Sequence, residues 1–366
     1  MMFVLLTIVV LLAATVWLYM RQDKFGAVPT GARLERMKQS PHYKDGVFQN
    51  IHHTPSLTEG YSMLGVLWDF IVTKYPHTIP VDRIPSLKTD LGHLNPEEDV
   101  LVWFGHSSYF IQLEGKKILV DPVLSGNASP IGGTNKSFLG TDTYTVADLP
   151  AIDYLIISHD HYDHLDYETV KALEAKTAHV ICGLGVGAHF EKWGYPADKI
   201  IEKDWNEEVD LGKGMVIHTT PARHFSGRAF KRNGTLWMSM VLQTPNKKIF
   251  VGGDSGYDTH FAEIGAKYGP FDLAILENGQ YNDRWHYIHC LPDEVIKAAQ
   301  DLKAKKLFPV HSSKFKLANH PWDEPLIKIK ENAAKNNLPL ITPMIGEKVD
   351  LNNDQQQFKD WWLGLH

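Results

Sequence analysis

Within eight consecutive residues, His159-Asp160-His161-Tyr162-Asp163-His164-Leu165-Asp166, this chain places three histidines and three aspartates. The string reads H-x-H-x-D-H. It sets four metal-ligand side chains within six positions, and a fold that holds it must bring them to one point. The apolar run Tyr154–Ile157 leads in, and a helical pattern starting near Tyr167 leads out. Alternate residues of an extended turn point the same way. His159 and His161 can therefore close on one cation while Asp163 and His164 turn toward a second. Imidazole with carboxylate is the ligand set of zinc, with iron or manganese as competitors. A surface loop rich in His and Asp by chance is the alternative, and the density and strand-to-helix setting of the string speak against it.

The remaining composition narrows the class. Hydrophobic residues make up 43% of the 366, enough to bury a sizeable core. A net charge of −6 argues against a nucleic-acid partner, which needs a basic face. With only Cys182 and Cys290, neither a disulfide framework nor a cysteine-based zinc site can form. Phe3 to Met20 is apolar apart from Thr7 and Thr15. Such a helix is about 27 Å long, close to the thickness of a bilayer's hydrocarbon core. A cleaved signal peptide is the rival, but no basic segment precedes the run and no A-x-A site follows it. The expectation is a single-pass anchor over residues 1–20. Arg21, Lys24, Arg33, Arg36 and Lys38 follow the run, so the positive-inside tendency places the main domain in the cytoplasm.

Residues 21–95 read as an extension that packs on the core, punctuated by Pro29, Pro41, Pro55, Pro76, Pro80 and Pro85. Within it Tyr61, Leu64, Trp68, Ile71, Val72 and Tyr75 recur at helical spacing. The first expectation is a helix laying this apolar face on the main domain; the second is a surface that touches lipid or an acyl chain. Residues 96–350 alternate strands and helices, and 351–366 read as a tail. Strands are predicted at 100–104, 109–113, 117–121, 154–158, 215–220, 236–243, 248–252, 272–276 and 306–310. Helices are predicted at 167–175, 185–193, 259–268, 292–302 and 323–334.

Three more ligand candidates fall just after predicted strands, where α/β architectures place their sites. They are His224, Asp254 and His311, and a carboxylate at Asp254, between flanking glycines, could bridge two metals. HDHYDHLD, ARHFSGR, GGDSGY and PVHSSKF in this order resemble the metallo-β-lactamase superfamily. Within it the chain is most similar to the N-acyl-phosphatidylethanolamine-hydrolysing phospholipase D family and its bacterial relatives. Trp103-Phe104-Gly105-His106-Ser107-Ser108, Leu119-Val120-Asp121-Pro122 and the stretch 285–295 add to the likeness, which spans about 94–328. The resemblance implies an α/β fold, an αββα sandwich with two zinc ions per chain at the rim of its sheets. It implies His159, His161 and His224 on one zinc, Asp163, His164 and His311 on the other, and Asp254 between them. His289 falls where the family carries a histidine reaching toward substrate. One departure stands out: the family's H-W-G-x-F becomes His311-Ser312-Ser313-Lys314-Phe315, which keeps the ligand and alters the pocket wall.

Bound zinc lowers the pKa of its water to about 7, and a zinc pair clamps a phosphodiester. Asp163 or His289 would manage the proton. Asp121, at a strand end, reads as orienting a ligand histidine, His106 as similar, and Arg223 as a donor to a substrate phosphate oxygen. The leading expectation is a membrane-anchored zinc phosphodiesterase cleaving N-acyl phospholipids. A lactonase or small-phosphoester hydrolase of the same superfamily is the second reading, and a non-catalytic metal-binding envelope protein the third.

Overall fold

The computed structural model describes residues 2–228 and 231–366. Helix α1 (Met2–Met20) projects from the rest with no buried residue. Its two hydroxyls are satisfied inside the helix, Thr7 Oγ1 on Phe3 O and Thr15 Oγ1 on Leu11 O, so no polar group demands water. By length and composition it is a candidate membrane span. The extension then forms α2 (Gly31–Gln39), a small hairpin of β1 (Tyr43–Lys44) and β2 (Val47–Phe48), and α3 (Met63–Val72). It is pinned to the domain by burying Phe25, Met37, Phe48 and Ile84.

The domain follows in chain order. The strands β3 (Val100–Trp103), β4 (Tyr109–Leu113), β5 (Lys116–Val120), β6 (Ile152–Ile157), β7 (Thr177–Gly183) and β8 (Ile200–Lys203) belong to one sheet. Helices α4 (Tyr167–Leu173) and α5 (Gly187–Lys192) interrupt them. A second sheet takes β9 (Glu208–Gly212), β10 (Met215–Thr220), β11 (Ser239–Gln243), β12 (Lys248–Val251), β13 (Leu273–Glu277) and β14 (Leu307–Val310). Its helices are α6 (His260–Lys267), α7 (Pro292–Asp301) and α8 (Glu324–Lys335). Finally β15 (Lys348–Asp350) returns to pair antiparallel with β3, giving sheets of seven and six strands.

Alternation along the strands builds four layers. Leu101 and Trp103 face the core between the sheets, while Val102 and Phe104 face a second core under α4 and α5. In the other sheet Met240 and Leu242 share the inter-sheet core, and Val241 meets the third core under α6, α7 and α8. Each large apolar side chain buried this way contributes roughly 1.5–3 kcal/mol. The result is an α/β/β/α sandwich, the fold the resemblance implies. Residues 351–366 carry Trp361 and Trp362, both buried in the inter-sheet core.

Two features depart from the sequence reading. Strands β1, β2, β7, β8, β9 and β15 were not foreseen. More tellingly, α3 forms where helical spacing predicts it, yet its apolar face does not pack on the domain. Only Val66 is buried, while Leu64 is 80% exposed and Ile71 82%.

Candidate metal centre

The motif loop begins where β6 ends. Strands β5, β6 and β7 run parallel, as do β12, β13 and β14, so the carboxyl ends of each set share a rim. His159, His161, Asp163 and His164 come from the rim of the first sheet. His224 follows β10, Asp254 follows β12, His289 follows β13 and His311 follows β14, all from the second. Gly253 makes the approach possible: its φ is +60°, and a Cβ there would sit 2.8 Å from Ser158 Cβ. Asp121, His106 and His311 hold the same left-handed conformation with side chains, at φ 41°, 53° and 67°. Such conformations cost of order 1–3 kcal/mol each and persist only where the surroundings over-determine them.

Three ring nitrogens meet first. His161 Nδ1 lies 2.8 Å from His159 Nε2 and 3.2 Å from His224 Nε2. The opposite nitrogens are already engaged. His224 Nδ1 donates to Ile288 O at 2.9 Å. Ser158 Oγ gives its proton to Asp121 Oδ2 at 2.6 Å and so accepts from His159 Nδ1 at 2.9 Å. Both Nε2 atoms therefore present lone pairs, and these cannot satisfy one another. With His161 Nδ1 beside them, a cation is the partner that these converging ring nitrogens fit.

A second group of donors joins His106, Asp163, His164 and His311, with their ligand atoms within 4.8 Å of one another. His164 Nδ1 donates to Asp121 Oδ2 at 2.8 Å, which again leaves Nε2 for a ligand. His106 Nε2 donates to Asp163 Oδ2 at 2.9 Å, and Ser107 Oγ lies 2.9 Å from His311 Nδ1. Asp254 stands between the groups. Its Oδ2 is 3.9 Å from His159, 3.8 Å from His224 and 3.2 Å from His164, and its Oδ1 is 3.1 Å from His311. Among the described residues, His164 Nε2 and Asp254 Oδ1 are buried without a hydrogen-bond partner. Two buried lone-pair atoms, one nitrogen and one oxygen, facing one cluster are what a coordinating cation would satisfy.

Burial sets the electrostatics. It pushes His159, His224 and His311 well below the usual histidine range and His161 to about 4, so their rings are neutral and able to coordinate. Burial also lifts the Asp254 carboxyl to about 6. His164 behaves oppositely. Burial would depress it, but Asp254, Asp163 and Asp121 together raise it well above the ordinary value.

His289 lies beside both groups, with ring centroids 5.2 Å from those of His224 and His311. Its Nδ1 donates to Glu277 Oε2 at 2.6 Å, while Glu277 Oε1 accepts from Cys290 N at 2.7 Å. Glu277 is a residue the sequence reading missed. Its signal was an acid closing the apolar run Leu273–Leu276. Ser107 and Ser158 were missed as well, and small hydroxyls give no pattern to find.

Arg223 has a role that the sequence did not show. Its guanidinium binds Thr54 Oγ1, Tyr257 O and His53 O, and lies 3.6 Å from Asp258. Three of its five N–H groups thus fasten the extension over the rim. The same strap carries Asn50, whose Nδ2 donates to His224 O at 2.8 Å and whose Oδ1 accepts from His224 N at 3.1 Å. Lys314, in the altered segment after His311, is fully buried and donates to Phe104 O and Val123 O.

A sandwich whose rim gathers imidazoles and carboxylates in two touching groups defines a metal-dependent hydrolase. Comparison with known proteins agrees. Residues 116–312 match the beta-lactamase superfamily domain, and the chain belongs to that family. A protein of Mycobacterium tuberculosis described only as uncharacterized is 38% identical over 330 residues, covering 89% of this chain and 88% of its own. An N-acyl-phosphatidylethanolamine-hydrolyzing phospholipase D of Caenorhabditis elegans is 32% identical over 249 residues, 63% of this chain and 68% of that one. In structure, a metallo hydrolase from the archaeon Ignicoccus hospitalis superposes with a TM-score of 0.53 at 20% identity. That match covers 69% of this chain and 97% of the other, and it shows the shared fold.

Proposed function

We propose that this chain is a membrane-anchored zinc phosphodiesterase of phospholipase D type, acting on N-acyl-phosphatidylethanolamine-like lipids. The observation that carries the reading is Asp254, whose Oδ2 lies between His159 and His224 of one donor group and His164 of the other, at 3.2–3.9 Å, while its Oδ1 faces His311 at 3.1 Å. His159, His161 and His224 would hold one zinc and Asp163, His164 and His311 the other, with Asp254 shared. Bound zinc supplies Lewis acidity and an acidified water at neutral pH. The named relative from Caenorhabditis elegans supports the lipid class, and α1 supports a membrane setting.

The chain's own groups then have defined work. Asp121, through Ser158 and His164, fixes the ring tautomers that turn both Nε2 atoms inward. With Asp163 held by His106, proton transfer falls to His289, whose Nδ1 is taken by Glu277 and whose Nε2 is left to work. In the reaction, a water oxygen bonds to phosphorus and the bond from phosphorus to the ethanolamine oxygen breaks. That oxygen takes up a proton, giving phosphatidic acid and an N-acylethanolamine. The cytoplasmic orientation follows from the basic flank of α1; protease protection in sealed vesicles of known sidedness checks it.

Mass spectrometry of detergent-dispersed N-acyl-phosphatidylethanolamine treated with zinc-loaded protein tests the activity, with Asp254→Asn as control. Both products from the wild type alone are expected. No turnover by protein holding two zinc ions would remove the lipid reading and turn attention to lactones and small phosphoesters.

A further inference from the structure

Helix α3 is built to exist without a protein partner, yet its surface is unsuited to water. Ser62 caps it, accepting from Gly65 N through its hydroxyl at 3.1 Å. Its sequence, Met-Leu-Gly-Val-Leu-Trp-Asp-Phe-Ile-Val, holds one charged residue. That residue, Asp69, is turned inward. It takes hydrogen bonds from Thr73 at 2.6 Å and Tyr75 at 2.5 Å, and pairs with Arg284. Phe70 stacks on Trp285, with ring planes 18° apart. These contacts moor one side of the helix. The outer side shows Met63, Leu64, Leu67, Trp68, Ile71 and Val72, each more than half exposed. A contiguous apolar face of this kind is uncommon on a protein surrounded by water.

The mooring points say what covers it. Arg284 and Trp285 lie in the loop after β13, the same loop that carries His289 at the metal-ligand rim. The root of α1 is fixed at that rim too. Tyr19 donates its hydroxyl to Pro130 O at 2.7 Å, in the loop after β5, and Phe25 packs on Tyr162 of the motif. Loops from the carboxyl ends of β5 and β13 thus carry the candidate span and the exposed helix at one end of the sandwich.

We propose that α3 is a second membrane contact, inserting Leu64, Trp68 and Ile71 into the acyl region of the bilayer that α1 crosses. The rim bearing His289 then faces lipid directly. The proposal rests on the anchored lipid hydrolase reading above and adds where its substrate arrives. An interfacial helix needs an apolar face with no stranded charge, and the inward turn of Asp69 provides it.

Fluorescence of single-cysteine labels tests it on the full chain in phosphatidylethanolamine–phosphatidylglycerol vesicles. The native thiols are buried, so a polarity-sensitive probe on Ile71→Cys reports α3 alone, with unlabelled wild type as the check. Probes on Leu11→Cys in α1 and on the exposed Lys335→Cys give the two reference points. We expect brominated acyl chains to quench the Ile71 probe at least threefold more than the Lys335 probe. Quenching at Leu11 with none at Ile71 would overturn the second contact and leave the anchor standing. Quenching at neither would overturn both. A blue-shifted Ile71 probe that bromine does not quench, and that reverts on dilution, would mean a second copy covers α3 and would also overturn the proposal. Because the readout is depth and not turnover, it is independent of whether N-acyl lipids are cleaved.

Discussion

Asn50→Ala should loosen one metal and leave the other. The Asn50 amide makes two hydrogen bonds to the backbone of His224, at 2.8 and 3.1 Å, and accepts a third from Trp237 Nε1 at 3.2 Å. Trp237 keeps a partner in Ala222 O, so truncation strands only the N–H and C=O of His224. A stranded buried group costs about 1–3 kcal/mol, so losing both destabilises the strap by about 2–4 kcal/mol once water recovers part. The share passed to the metal is smaller, since His224 keeps its Nδ1 bond to Ile288 O. Losing an outer-shell partner typically weakens metal affinity about 10–100-fold, and we expect the lower half of that range. Competition against a chromophoric zinc chelator reads it directly. One of two equivalents should weaken about tenfold, or about 1.4 kcal/mol. His52→Ala is the control: it removes the strap's bond to Asp258 without touching His224. An affinity change under threefold in Asn50→Ala would refute the reasoning, as would an equal loss in His52→Ala.

Asp254→Asn should abolish turnover and reduce bound zinc to about one per chain. Asp121→Asn should retain two, with affinity lower by about 10–100-fold; plasma emission spectrometry separates the cases. Glu277→Gln removes the carboxylate that orients His289, so kcat should fall at least tenfold while zinc content stays at two. Stripping the metals should lower thermal stability, because saturating zinc at a thousand times its Kd stabilises by about 4 kcal/mol; a calorimetric scan with and without chelator measures the shift. His260 is buried and neutral, with burial depressing it to about 3 from 6.5. The folded state resists its proton while the unfolded chain accepts it, so stability present above about pH 6.5 is lost as pH falls toward 3. In His260→Phe the acid side of the pH–stability profile should flatten, as read by urea melts between pH 4 and 7.

The metal cluster was legible because its residue types are few and dense. No apolar core explains H-x-H-x-D-H, and His224, Asp254 and His311 each stand just past a readable strand. The fastening role of Arg223 was hidden because a sequence shows that a guanidinium lies near a ligand but not that a strap from residues 53–54 will bind it. Glu277 hid at the end of a strand, where an acid looks like the start of a loop. The apolar runs of β3 and β11 were plain, whereas β8 is four half-buried residues with little pattern and β9 alternates over only five, Glu208–Gly212. Helix α3 shows the sharpest limit. Periodicity fixes which residues share a face, but the same stripe serves a protein core or a bilayer, and only the surrounding packing distinguishes them.

The proposed ligands come from both halves of the sandwich: His159, His161, Asp163 and His164 from one sheet, His224, Asp254 and His311 from the other. Cations held between them would act as rivets across a seam. Bound metal would then tie the two sheets together at the rim, and its loss would loosen that seam. A site of this kind couples the chemistry to the fold: what empties the rim also frees one sheet from the other.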